Sequence, residues 1–169
     1  MEKDPTVVAR LFQEREEENW RFRTFLRMTS CSRAKINAAA EHFAREAAAR
    51  MDCLQCAACC KQTRPPVDAT EIGRLAARLN ITSDAFVERY VAENDFGERC
   101  IEEIPCPFLD GNRCTVYEDR PDPCRGYPYI GGAITEHMLD ILERASTCPI
   151  IYEMLEKLKA HLGFDRYAP

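Results

Sequence analysis

The residues best suited to chemistry in this chain are its ten cysteines. Four of them fall in one run of eight residues, Cys53-Leu54-Gln55-Cys56-Ala57-Ala58-Cys59-Cys60. Ligands three residues apart in a short loop can turn their sulfurs toward one point and leave backbone amides free for the thiolates. Adjacent cysteines cannot easily do the same, so Cys59 and Cys60 either serve two sites or leave one thiol free. The run predicts metal or redox chemistry, in preference to buried thiols that act as small apolar side chains.

Four further cysteines follow at wider spacing: Cys106, Cys114, Cys124 and Cys148. Three of them adjoin proline, in Cys106-Pro107, Pro123-Cys124 and Cys148-Pro149. Proline restricts the backbone beside a ligand and so helps to hold the sulfur in place. Cys148 also precedes a predicted helix, where free amides and the helix dipole would stabilise a thiolate.

The order of these motifs resembles the YkgJ-type CxxCxxCC cysteine-cluster family, a zinc- or iron-chelating domain with eight characteristic cysteines. The resemblance is carried by the run from Cys53 to Cys60, by Cys106-Pro107-Phe108-Leu109, and by the stretch from Cys114 to Pro128, and it extends over about residues 50 to 150. It implies a chelating set of Cys53, Cys56, Cys59, Cys60, Cys106, Cys114, Cys124 and Cys148. Ala57 stands where the family often has glycine, and Cys31 and Cys100 fall outside the pattern.

Three functions are compatible with these cysteines. The first is an iron-sulfur protein, an enzyme or electron carrier, because the C-x2-C-x2-C opening with a remote Cys-Pro is ferredoxin-like. The second is a zinc protein in which four-cysteine sites are structural and the helical surface binds a protein partner. The third is a thiol redox sensor. Iron is favoured because the later cysteines lack zinc's usual paired C-x2-C spacing, although thiolates suit both metals. The sequence indicates neither a substrate nor a catalytic residue.

Other residues near the cysteines allow two interpretations each. Arg120 and Arg125 flank Cys124, where they either offset the negative charge of a thiolate site or pair with Glu118 and Asp119. Three tyrosines are expected to pack with hydrogen-bonded tips more than to line a pocket: Tyr117, Tyr127 and Tyr129. Three histidines fall on predicted helices away from the cysteines and are not expected to be ligands: His42, His137 and His161.

The composition limits the class of protein. A length of 169 residues suits one domain, and a net charge of -5 gives no general attraction to nucleic acid or anionic lipid. The first residues lack the features of a secretory signal, and no apolar run approaches the roughly 18 residues of a membrane span. We therefore expect a cytoplasmic protein with neither a nucleic acid nor a membrane partner. In that reducing compartment, metal binding is the leading explanation for ten cysteines.

The elements that must position the cysteines are predicted to be mainly α-helical, in a single cysteine-rich domain with one short β-hairpin. Residues 1–50 carry two apolar stripes, Val7 to Leu26 and Ile36 to Met51, which predict an N-terminal helical hairpin. Residues 51–150 form the predicted metal-binding core, and residues 151–169 a C-terminal helix that packs on it.

Local signals define the elements further along the chain. Asp68 and Glu71 predict a capping box that opens a helix through Leu79, and a further helix is expected from Ser83 to Glu93. Asp110-Gly111 predicts the hairpin turn. Two helices are predicted over residues 135–145 and 149–162, the second between Pro149 in its first turn and Gly163 beyond its end.

Overall fold

The computed structural model describes residues 1–129 and 131–165, and it is mainly α-helical, as predicted. The chain divides into two compact units. Unit 1 comprises Met1–Asp52 and Pro128–Pro169, and unit 2 comprises Cys53–Tyr127. The division into residues 1–50, 51–150 and 151–169 stays a prediction. Among the described residues, none of the helices combines the length and apolar character needed to cross a membrane.

The described residues form helices and short strands in the following order. The helices are α1 Pro5–Glu14, α2 Glu16–Met28, α3 Arg33–Ala48, α4 Cys53–Cys56, α5 Ala69–Arg78, α6 Ser83–Tyr90, α7 Asp122–Gly126, α8 Met138–Thr147 and α9 Pro149–His161. The strands are β1 Val91–Glu93, β2 Arg99–Ile101, β3 Leu109–Asp110 and β4 Arg113–Cys114. Short 3-10 turns lie at Cys59–Lys61 and Tyr117–Asp119.

Unit 1 is built from helices at both ends of the chain. The first predicted helix is in fact two, because Arg15 leaves the helical conformation (φ -113°, ψ 18°) within the charged run that interrupts the apolar stripe. α3 packs mainly along α9, and α1 mainly against α8. α1 and α3 are therefore held chiefly by the C-terminal pair α8 and α9. The N-terminal helical hairpin stays a prediction.

The alanine-rich face of α3 is buried. Ala40, Ala44 and Ala47 are at most 3% exposed, which allows α9 to approach α3 closely. Nearby, the fully buried Lys159 donates hydrogen bonds to Glu18 (2.7 Å), Asn19 (2.5 Å) and Glu156 (2.7 Å). A buried ammonium needs such partners, because its desolvation is costly without them.

Unit 2 has its own apolar core, formed where α5 and α6 pack together. The predicted capping box of α5 is confirmed, since Asp68 accepts a hydrogen bond from the Glu71 amide and Glu71 accepts one from the Asp68 amide, both at 2.8 Å. The buried core residues are Val67, Ile72, Leu75, Ala76, Phe86, Ile101, Phe108 and Val116.

The end of α6 was predicted wrongly. Residues 91–93 continue α6 in the prediction, but they form strand β1, which pairs with β2 in an antiparallel register that places Val91 opposite Ile101. The residues expected to end the helix instead form the hairpin turn. Asn94 Oδ1 accepts hydrogen bonds from the amides of Phe96 (3.0 Å) and Glu98 (2.9 Å) there. Side-chain hydrogen bonds of this kind stabilise turns, and β-branched Val91 suits a strand.

The remaining elements follow the sequence signals. β3 and β4 form the predicted hairpin, with Gly111 at φ 59° in its turn. α8 begins at Met138, three residues later than predicted. α9 has Pro149 at its start, and Gly163 follows it at φ 64°.

Candidate metal centre

The run from Cys53 to Cys60, called the dense run below, folds as two short turns joined by a residue in the left-handed conformation. α4 supplies one turn from Cys53 to Cys56, and the 3-10 turn that starts at Cys59 supplies the next. Between them, Ala57 is buried at φ 51°, a region that glycine reaches more easily. Cys53 is exposed, whereas the other three cysteines of the run are half-buried. The sulfurs of Cys59 and Cys60 are 4.0 Å apart.

Backbone pairing brings the later cysteines to this run. The Cys106 amide donates a hydrogen bond to the Cys60 carbonyl at 2.8 Å. The Leu109 amide bonds to the Cys106 carbonyl at 3.0 Å, and Leu109 pairs with Cys114 across the β3–β4 hairpin. α4 lies against β4, so that both parts of the dense run contact the segment that carries Cys106 and Cys114.

Cys106 and Cys114 share one local arrangement. The backbone amide of Phe108 donates a hydrogen bond to the Cys106 sulfur, and that of Val116 donates one to the Cys114 sulfur. Each of these bonds acts to lower the pKa of its thiol. The side chains of Phe108 and Val116 are both buried in the core of unit 2. The Phe108 ring centroid lies 5.0 Å from that of Tyr90. Each sulfur is thus tied to the core through the residue that hydrogen-bonds to it.

Cys124 is positioned by helix α5. The buried Glu71 carboxylate accepts a hydrogen bond from the Asp122 amide at 2.6 Å, at the start of α7. Arg74 donates to the carbonyls of Asp119 and Arg120, both at 3.1 Å. The capping box signal was visible in the sequence, but the second role of Glu71 was not, and no sequence feature singled out Arg74.

Four thiols from these segments interact electrostatically with one another: Cys60, Cys106, Cys114 and Cys124. We call them the four-thiol group. Burial is the main reason that the pKa of Cys106 rises to about 11 and that of Cys124 to about 12. The charge of Cys60 raises the pKa of the other three thiols, and Cys106 and Cys114 act in the same way on Cys124. All six pairs are therefore close enough for their charges to interact.

Cys60 differs from the rest of the group. A hydrogen bond with the Cys59 thiol is the largest cause that lowers the Cys60 pKa to about 7, against the opposing effect of burial. The Cys59–Cys60 pair therefore gives up a proton more readily than an ordinary thiol, and the thiolate is the form that binds metals.

The two arginines beside Cys124 have separate roles. The Arg120 guanidinium acts to lower the pKa of Cys114 and Cys124, and it stacks 3.6 Å from the ring centroid of Tyr117. Arg125 donates to the carbonyls of Glu118 and Arg120, and it lies 3.6 Å from the Asp122 carboxylate. Arg120 thus offers positive charge to the thiols, whereas Arg125 braces the backbone beside them.

The remaining predicted ligands lie as follows. Cys53, Cys56 and Cys59 belong to the dense run in unit 2. Cys148 belongs to unit 1, where it is 6% exposed and precedes α9. Its thiol makes no capping hydrogen bond to α9. Within residues 1–129 and 131–165, no three His, Cys, Asp or Glu side chains form a ready-made metal site.

The two cysteines outside the motif, Cys31 and Cys100, are found in different units. Cys31 belongs to unit 1. Cys100 is buried in β2, where Asn94 donates a hydrogen bond to its sulfur at 3.7 Å. Burial and the Glu98 carboxylate raise the Cys100 pKa, and no cysteine contributes to this shift.

The donor chemistry of the four-thiol group fits zinc or iron. Thiolates are soft ligands that both metals accept, and four of them match either a tetrahedral zinc site or an iron-sulfur cluster. Amide donors to two of the sulfurs would help to stabilise their negative charge in the metal-bound form.

Comparison with known proteins agrees with this chemistry. Residues 52–149 match the sequence model of the CxxCxxCC family, whose description reads "Putative zinc- or iron-chelating domain". The match covers more than half of the chain, and the chain therefore belongs to this family. Neither the curated proteins nor the solved structures contain a match.

Proposed function

We propose that this protein binds iron, in the form of an iron-sulfur cluster, through its cysteine thiolates, with the four-thiol group as the nucleus of the site. The observation that carries the proposal is the convergence of separate stretches of unit 2. The Cys106 amide bonds to the Cys60 carbonyl, and the strand that carries Cys114 lies against α4 of the dense run. Cys124 is near enough to the other three thiols for their charges to raise its pKa. Such convergence is what a shared metal site requires, because sulfurs from separate stretches must come together to bind one metal centre.

The other four predicted ligands complete the proposed set: Cys53, Cys56, Cys59 and Cys148. Cys59 and Cys60 are adjacent, and their sulfurs stand 4.0 Å apart. We infer that they bind in different ways, with Cys60 in the four-thiol group and Cys59 with Cys53 and Cys56. Cys148 belongs to the proposed set through its place in the family motif alone, and we assign it to neither group.

Zinc is the second candidate, and one observation favours it. The four-thiol group joins the dense run, the β3–β4 hairpin and α7 at one place, as a structural zinc ion does when it crosslinks short segments. Iron is preferred for the C-x2-C-x2-C opening and for the amide donors to sulfur. A bound iron-sulfur cluster would supply one-electron redox chemistry, whereas a zinc ion would crosslink the segments that carry its ligands.

The third candidate is a thiol redox sensor, which the Cys59–Cys60 pair favours. Its sulfurs are close, and the lowered Cys60 pKa makes that thiol reactive near neutral pH. We also propose a cytoplasmic setting, whose reducing conditions keep such thiols available.

The test is the metal content and visible absorption of protein purified without oxygen. We expect iron and acid-labile sulfide in matching amounts, with a broad visible absorption that chelators bleach. A colourless protein that holds zinc would establish the second candidate. A folded protein with neither metal, and with Cys59 and Cys60 oxidised reversibly to a disulfide, would contradict metal binding and favour the sensor.

A further inference from the structure

The turn between β3 and β4 carries a side chain that reaches across to the dense cysteine run. In this turn Gly111 has φ 59° and is followed by Asn112, an arrangement typical of a type II′ hairpin. Asn112 is exposed and stands two residues before Cys114. Its backbone is not in the left-handed region, so other side chains fit there without strain.

The amide group of Asn112 makes two hydrogen bonds to residues of the dense run and its flank. Its Nδ2 donates to the Gln55 carbonyl at 2.6 Å. Its Oδ1 accepts from Lys61 Nζ at 2.7 Å. Gln55 lies between Cys53 and Cys56, and Lys61 directly follows Cys60. One side chain thus contacts both turns of the dense run.

The chemistry of the two bonds requires an amide. Only a side chain with both a donor and an acceptor can serve the carbonyl and the ammonium together. Lys61 also fixes which way the amide is turned, because its ammonium can only donate. An aspartate at position 112 would keep the bond to Lys61 but would turn a carboxylate oxygen toward the Gln55 carbonyl.

We infer that Asn112 is a positioning residue for the metal site, which holds the dense run in register with the hairpin that carries Cys114. This inference rests on the proposed function, because it assigns a role toward the metal that the thiols would bind. Groups that orient the ligands of a metal typically change its affinity by about 10- to 100-fold when they are removed.

The test compares three variants with the wild type: Asn112→Ala, Asn112→Asp and the control Asp110→Ala. Asp110 is an exposed residue of the same hairpin. The probe is cobalt(II) alone, added to metal-free, reduced protein. Its affinity is measured by competition with a chelator, and its thiolate charge-transfer absorption is recorded. Urea unfolding of each metal-free protein reports any purely structural effect.

We expect Asn112→Ala and Asn112→Asp to weaken cobalt binding by about 10-fold or more. Asp110→Ala should bind like the wild type. The metal-free Asn112 variants should lose much less free energy of unfolding than they lose of cobalt-binding free energy, because both hydrogen bonds of Asn112 are exposed. The inference is overturned if Asn112→Ala binds cobalt as tightly as the control, if Asn112→Asp retains wild-type affinity, or if the loss of affinity is matched by a loss of metal-free stability. A wild type that binds no cobalt would instead refute the four-thiol site itself.

Discussion

At the scale of single residues, the cysteines are distinguished by what surrounds their sulfurs. Cys100 and Cys114 both lie in short strands of unit 2, and burial raises the pKa of both. The Cys60 thiol contributes to the shift at Cys114, whereas only a carboxylate, a guanidinium and an amide act with burial at Cys100. Interaction with another thiol therefore distinguishes the proposed ligand Cys114 from Cys100, which lies outside the ligand set.

Serine substitutions test this distinction. Cys100→Ser and Cys31→Ser should leave the metal content unchanged and lower the free energy of unfolding by no more than about 1–2 kcal/mol. Cys114→Ser and Cys124→Ser should each remove most of the metal, because serine is a poor ligand for a thiophilic metal. Elemental analysis of the four purified variants is the measurement. Equal metal loss in Cys100→Ser and Cys114→Ser would show that the ligand set is drawn wrongly.

The sequence indicates which cysteines belong to the proposed ligand set, but not which of them share one site. Spacing and the family resemblance selected the eight candidates and excluded Cys31 and Cys100. The contact between Cys60 and the Cys106 segment depends on a backbone hydrogen bond between residues far apart in the chain, for which no local pattern exists. The same holds for Glu71, whose second carboxylate oxygen bonds to the Asp122 amide.

At the scale of elements, the shape of the dense run depends on one backbone conformation. Ala57 is in the left-handed region at φ 51°, whereas its neighbour Ala58 is in the ordinary helical region at φ -60°. Both are buried, at 3% and 5% exposure. The two alanines thus form a matched pair that differs mainly in backbone strain.

Glycine substitutions should separate this pair. Each removes one buried methyl group, which costs about 0.8 kcal/mol. Each also adds roughly 1 kcal/mol of backbone entropy cost, because glycine is more flexible in the unfolded chain. Ala57→Gly in addition relieves a left-handed conformation that costs about 1–2 kcal/mol for an L residue, so its net effect on stability should be close to zero, whereas Ala58→Gly gains no such relief. Urea unfolding of the metal-free variants should therefore give Ala57→Gly a higher free energy of unfolding than Ala58→Gly. The reverse order would contradict backbone strain at Ala57.

Elements with strong local signals were predicted well, and those that depend on distant partners were not. The capping box of α5, the Asp110-Gly111 turn and Pro149 at the start of α9 each encode their structure within a few residues. Strand β1 was assigned to a helix because the turn residues 94–97 also fit a helix end. The pairing of β2 with the distant segment before α5, through the Val67 amide and the Arg99 carbonyl, has no local signal.

At the scale of the whole molecule, the helical class followed from apolar periodicity, but the grouping of helices did not. Periodicity shows that a face of α3 is buried, without showing that α9 covers it. Unit 1 joins the two ends of the chain, whereas unit 2 is continuous and contains seven of the eight proposed ligands. The family match over residues 52–149 includes residues of both units.

The central claim is that the metal is held by thiolates alone, and X-ray absorption at the metal edge of the isolated protein tests it most directly. We predict a first coordination shell of four sulfurs at about 2.3 Å for each metal ion, as in tetrathiolate zinc or cysteine-bound iron-sulfur sites. For iron, a second shell of nearby iron atoms should identify the cluster. A first shell dominated by nitrogen or oxygen at about 2.0–2.2 Å would contradict the claim.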